Sequence, residues 1–152
     1  PGGSFEAIGR PRGFVCRLFV RDDEGEVFTS KAPQANWHLV EGYEGHFEHF
    51  EGGWTVGFEA YSQDADLAPF FRGLPNDECQ CEHMGYVIRG KVGFRSGGNE
   101  ELFEAGDAYY VGPGHTPILC AGTEVVEVSP SKELGRTMEV VTKNMEEMEA
   151  SA

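Results

Sequence analysis

An all-β fold, a barrel or sandwich closed by one C-terminal helix, is predicted by three observations. Short apolar runs rich in aromatic and β-branched residues recur along the middle of the chain. Glycine is abundant, with 21 of 152 residues, and it falls between those runs, as tight turns between short strands require. Past residue 130 the apolar spacing changes from two to the helical period.

Taken in order, residues 1–30 read as an irregular arm followed by one strand, Phe14 to Val20. Cys16 there reads as a buried small hydrophobe. Trp37-His38-Leu39-Val40 and His46-Phe47-Glu48-His49-Phe50 have weaker strand character. His46 and His49 face opposite sides on a strand and share a face on a helix, and both readings stay open. Gly53 to Tyr61 is a strand, with Trp54, Val56, Phe58 and Ala60 on one face and Thr55, Gly57, Glu59 and Tyr61 on the other. Gln63 to Phe71 is a turn with one helical turn, capped by Asp64 and limited by Pro69.

Strands follow at Tyr86 to Ile88, Lys91 to Arg95, Glu100 to Glu104 and Ala108 to Val111. Ile118-Leu119-Cys120 and Glu124 to Val128 are expected to pair as a hairpin around Ala121-Gly122-Thr123. Leu134, Met138, Val141, Met145 and Met148 fall at helical spacing, with Ser131 as the expected cap. The chain therefore divides into an arm and strand (1–30), a barrel (31–130) and a helix (131–152) within one domain.

The net charge of −14 argues against nucleic acid and anionic membrane surfaces, which need clustered Lys and Arg. No apolar run approaches the roughly 20 residues of a spanning helix. With four Cys and no secretory signal, a reduced, cytoplasmic setting is expected. The expected partners are a small-molecule ligand and a second copy of the chain.

The chemistry concentrates in Glu78-Cys79-Gln80-Cys81-Glu82-His83. On a continuous strand, Cys79, Cys81 and His83 alternate onto one face. Two thiols and an imidazole in one row form a metal-ligand pattern. Fully extended, Cys79 and His83 lie about 13 Å apart, so convergence on one ion needs a bend. A Cys79–Cys81 disulfide is disfavoured, because strand neighbours two apart run parallel at about 6.6 Å.

From residue 75 to 128 the pattern resembles a small single-domain cupin. Tyr86-Val87-Ile88-Arg89-Gly90 matches the end of the first cupin motif. Gly106-Asp107-Ala108-Tyr109-Tyr110-Val111-Gly112-Pro113-Gly114-His115 resembles the second. The segment from Cys79 to Pro117 looks like a subgroup of uncharacterised bacterial cupins with a Cys-x-Cys opening and a Pro-Gly-His-Thr-Pro second motif. The resemblance implies a cupin-type antiparallel β-barrel, or jelly roll, with a C-terminal α-helix.

It also sets the ligand positions. Counted back from Gly90, His83 stands where the family has its Glu, Cys79 at the second His position and Asp77 at the first. The usual second-motif His position falls on Pro117, with His115 two residues earlier. The common set of three His and one Glu is thus absent, and the oxidase, dioxygenase and decarboxylase activities of the family do not carry over.

The expected metal set is Cys79, Cys81, His83 and His115, with the second motif bringing His115 across the barrel. A mixed thiolate and imidazole set favours a divalent transition metal, zinc ahead of iron, manganese or nickel. Cys120 is a further thiol near His115, read as core. Tyr86, Tyr109, Glu59 and His38 are the candidate pocket residues. Three protein ligands leave a position for Lewis-acid chemistry on a small molecule, and four close the site. The readings that stay open are an enzyme, a ligand-binding or thiol-sensing module, and a structural dimer with a closed metal site.

Overall fold

The computed structural model describes residues 42–150. The N-terminal arm, the strand from Phe14 to Val20, Cys16 and His38 lie outside the described residues. Among the described residues nine strands run in order: β1 (Tyr43–Phe50), β2 (Trp54–Tyr61), β3 (Ala65–Asp66), β4 (His83–Arg89), β5 (Lys91–Ser96), β6 (Asn99–Glu104), β7 (Ala108–Val111), β8 (Thr116–Leu119) and β9 (Thr123–Pro130). One helix, α1 (Ser131–Glu149), follows, and short 3₁₀ turns at Ala68–Phe71 and Pro75–Asp77 join β3 to β4.

The strands form two layers. One sheet has the order β1-β2-β9-β4-β7 and the other β3-β8-β5-β6. Every strand pair within them is antiparallel. The core fills the space between, with Val87, Val92, Phe94, Leu119 and Val125 buried. This is the predicted all-β jelly roll with a C-terminal helix.

Several local expectations change. The run from 118 to 120 and the run from 124 to 128 do not make a hairpin. β8 lies in the four-stranded sheet and β9 in the five-stranded one, because the chain crosses between layers at their connection. A second crossing at Gly90, between β4 and β5, needs φ +72, and a β carbon there would stand 2.7 Å from the Thr123 Cα. Only glycine fits that junction. Asp66, not Asp64, supports the first 3₁₀ turn by accepting from the Ala68 N–H at 3.0 Å. Ser131 does not cap α1; Pro130 holds that position, and the Ser131 hydroxyl bonds Thr55 Oγ1 at 2.8 Å.

The helix packs against the first 3₁₀ turn, β9 and β2. Leu134, Met138 and Met145 pack on the core and Val141 is buried in it. Asn144 fixes it, since its amide donates to the Phe70 and Arg72 carbonyls at 2.7 and 2.9 Å. Among the described residues, no helix is long and apolar enough to cross a membrane.

β2 settles which of its faces is inside. Thr55 and Tyr61 are buried, whereas Trp54 is 40% exposed. The more polar row therefore faces the interior. Register carries this across the sheet: Phe47, Gly57, Glu127, Gly85 and Tyr109 are successive partners on β1, β2, β9, β4 and β7. Large side chains alternate with glycine along that row. A β carbon on Gly57 would stand 2.8 Å from the Phe47 ring, and one on Gly85 would collide with the Tyr109 ring. The two glycines make room for the Phe47 and Tyr109 rings on either side of Glu127.

Candidate metal centre

Cys79, His83 and His115 come together inside the barrel, all three buried, with one ligand atom of each within 4.8 Å of the others. Backbone pairing fixes two of them. The Cys79 N–H donates to the His115 carbonyl at 2.8 Å, and the Gly114 N–H donates to the Cys79 carbonyl at 2.7 Å. His83 opens β4 and turns its ring inward. Its Nε2 lies 3.4 Å from Cys79 Sγ. The two imidazole centroids are 5.2 Å apart at 80°.

The expected common face of Cys79, Cys81 and His83 is corrected. Regular strand begins only at His83, and the chain bends between 79 and 83. The bend closes the gap of an extended strand and leaves Cys81 out of the cluster. Cys81 Sγ lies against the Glu82 and Pro130 carbonyls at 3.3 and 4.0 Å. Burial, followed by the Cys79 charge, pushes its thiol up to about 12. Asp77 closes the preceding turn instead, accepting from the Gly73 N–H at 2.7 Å.

Both histidines are held by the nitrogen that faces away from the cluster. His115 Nδ1–H donates to the Gly112 carbonyl at 2.7 Å, which leaves Nε2 with its lone pair. That Nε2 is buried without a hydrogen-bond partner. His83 Nδ1 lies 2.8 Å from Glu127 Oε1 and 2.7 Å from Ser129 Oγ. An imidazole with Nδ1 on a carboxylate or carbonyl and Nε2 presented inward has the arrangement of a metal ligand and its outer partner. The donor set fits a divalent transition metal.

The electrostatics agree. Burial alone would raise the Cys79 thiol, but the His115 and His83 imidazoles outweigh it and hold it down at about 6. Burial would lower His83, but the Glu127 carboxylate and Cys79 raise it well above the ordinary histidine value. Glu127 is held low, since the His83 charge overcomes its burial. In the metal-free protein the three groups thus favour one another's charged forms: a lowered thiol, a raised imidazole and a lowered carboxylate.

A cavity of about 80 Å³ opens beside Cys79 and His83. Its walls are mainly apolar, with Phe47, Phe70, Phe94, Leu119, Leu134 and Met138 among them. Glu59 and Glu127 supply the carboxylates. Tyr43 and Tyr61 donate to the same oxygen, Glu59 Oε2, at 3.1 and 2.9 Å. Burial, and then the Glu127 charge, raise Glu59 to about 7. Tyr109 donates to Glu127 Oε2 at 2.8 Å.

Of the four pocket residues named from sequence, Glu59 lines the cavity and Tyr109 is buried against Glu127. Tyr86 is 49% exposed on the outer face of the sheet. Cys120 lines a shallow surface depression elsewhere. His46 bonds Glu48 at 2.7 Å and His49 bonds Thr55 at 2.8 Å, and neither joins the cluster. Sequence reasoning missed Glu127, Ser129, Tyr43 and Tyr61. The signal was the period of β9, in which Val125, Glu127 and Ser129 share one face.

No family model and no curated protein matches the chain. Solved structures do. An RmlC-like cupin from Shewanella frigidimarina superposes with a TM-score of 0.50 at 17% identity, covering 70% of this chain and 92% of its own. A cupin 2 conserved barrel domain protein from Salinispora arenicola gives 0.49 at 12% identity, covering 76% and 98%. KdgF from a Halomonas species gives 0.46 at 17%, covering 62% and 84%. The fold of this chain is that of the cupin barrels.

Proposed function

We propose that the protein is a metal-dependent cupin-fold barrel that binds a small molecule in the cavity beside Cys79 and His83 and acts on it there. Cys79, His83 and His115 would hold the metal, zinc first, because one thiolate and two imidazoles suit zinc better than oxygen-seeking ions. The observation that carries this reading is His115 Nε2, buried and unpaired within reach of Cys79 and His83. An orphaned buried acceptor costs about 1–3 kcal/mol, which a bound cation removes. Such an ion, when present, supplies Lewis acidity to a substrate oxygen or to water.

The chain's own groups would do the rest. Glu127 orients His83 and holds the proton on its Nδ1. The apolar walls exclude water, and Glu59 stands as a second acid or base. Elemental analysis of protein purified without added metal should find about one zinc per chain. Only trace amounts of any transition metal would reject the reading.

A second reading, binding without turnover, is favoured by the smallness of the cavity and by the helix across it. Mass spectrometry of the candidate ligand before and after incubation with the metal-loaded protein separates the two. The homodimer also stays a proposal, supported by the exposed side chains Met84, Tyr86, Ile88 and Tyr110 on the outer sheet face. A monomer mass from light scattering at micromolar concentration would reject it.

A further inference from the structure

The cavity carries one carboxyl group more than the proposed centre needs. A divalent ion would be balanced by the Cys79 thiolate and the Glu127 carboxylate, with both histidines neutral. Glu59 is then left over. Among the described residues that line the cavity there is no Lys or Arg. The neighbours of Glu59 are two hydroxyls, Tyr43 and Tyr61, whose rings stack at 5.6 Å and 16°. Both hydroxyls converge on Oε2. The other oxygen, Oε1, lies over Gly57, 3.0 Å from where a β carbon would stand. The absence of a side chain there lets the carboxylate and the Phe47 ring share the space above Gly57.

An ionised carboxylate in such a place is costly unless a positive group meets it. Tyrosine faces beside it add attraction for a cation. The remaining walls are apolar and suit a short hydrocarbon body.

We propose that the ligand of this cavity is a small primary amine, bound as its ammonium ion with the charged head on Glu59 and the tyrosine pair and its apolar part on the phenylalanine and leucine walls. The inference rests on the metal-bearing cavity proposed above and names the ligand class for it. Anionic ligands meet Glu59 and Glu127 with the wrong sign. Alcohols find a hydrogen bond but no charge partner.

The test is calorimetric titration of the metal-loaded protein with n-propylamine, n-propanol and propionate at neutral pH. The three share one hydrocarbon body and differ in head group. Propylamine should bind at least about 10-fold more tightly than propanol, with propionate weakest, as expected for a desolvated charge pair. In Glu59→Gln the amine should lose that advantage to within about 3-fold, since the amide keeps a hydrogen bond but no charge. Propanol or propionate binding as tightly as propylamine overturns the inference, and this comparison needs no variant. A Glu59→Gln protein that keeps its preference overturns the assignment to Glu59. Metal content is read on the same samples. Full metal without amine preference sinks this inference alone, whereas amine preference in a protein that holds no metal sinks the metal reading alone.

Discussion

His83 stands between a thiol and a carboxylate: its Nε2 is 3.4 Å from Cys79 Sγ and its Nδ1 is 2.8 Å from Glu127 Oε1. One ring thus links a strand entry to the neighbouring β9. The carboxylate fixes the tautomer and the aim of the ring, and the thiol marks where the ring is aimed.

Glu127→Gln should weaken metal binding by about 10–100-fold, the usual effect of removing a partner behind a ligating histidine. Competition against a chromophoric chelator measures it. Unchanged affinity would remove Glu127 from any role behind His83. Glutamine has nearly the same shape as glutamate, so the substitution adds no crowding.

Cys79→Ser and His115→Ala should each strip the metal, and Cys81→Ser should leave it in place. Elemental analysis of the three variants reads this directly. Cys81 sits against backbone carbonyls outside the cluster, and loss of metal in Cys81→Ser would return it to the ligand set.

Two pH dependences follow for the metal-free protein, with opposite signs. Cys79 is depressed to about 6 from 9.0. Its contribution to stability is complete above the unfolded value and is lost as pH falls through about 6. Its thiolate absorbance in the ultraviolet should therefore fade with a midpoint near 6, and Cys79→Ser should abolish that step. Glu59 is raised from 4.5 to about 7. Its contribution is complete below the unfolded value and is lost as pH rises through the folded one. Glu59→Gln should gain stability over the parent at pH about 8 relative to pH about 5, on the order of 2 kcal/mol. Urea denaturation at both pH values decides it, and an equal difference at both would contradict the buried-acid account.

Gly85→Ala should cost about 1–3 kcal/mol, the price of forcing a methyl into filled space. The side chain it meets is Tyr109, so the same change in a Tyr109→Ala background should cost little. A double-mutant cycle showing no coupling would place the strain elsewhere.

Much of the fold was legible because glycine turns and alternating apolar runs are local signals. The pairing of the runs at 118–120 and 124–128 was not, since a two-layer crossing and a hairpin can use the same turn residues. At the site, Cys79 and His83 were readable from type and spacing, and His115 from the resemblance of its segment to the second cupin motif. Cys81 was placed with them because strand alternation was extended through a segment that bends. Glu59 was named as a pocket residue, whereas Glu127 escaped notice because burial usually selects apolar residues. In β2 and β9 the inward face carries Thr55, Glu59, Glu127 and Ser129, whose polar atoms find partners inside the barrel. An acidic residue in step with its strand's inner row is the signal to look for.

The amide of Asn144 holds α1 to the carbonyls of Phe70 and Arg72, and Leu134, Met138 and Val141 from that helix wall the cavity. Two hydrogen bonds from one amide thus hold in place a wall of the cavity as well as the helix, so loss of the Asn144 amide should loosen both together.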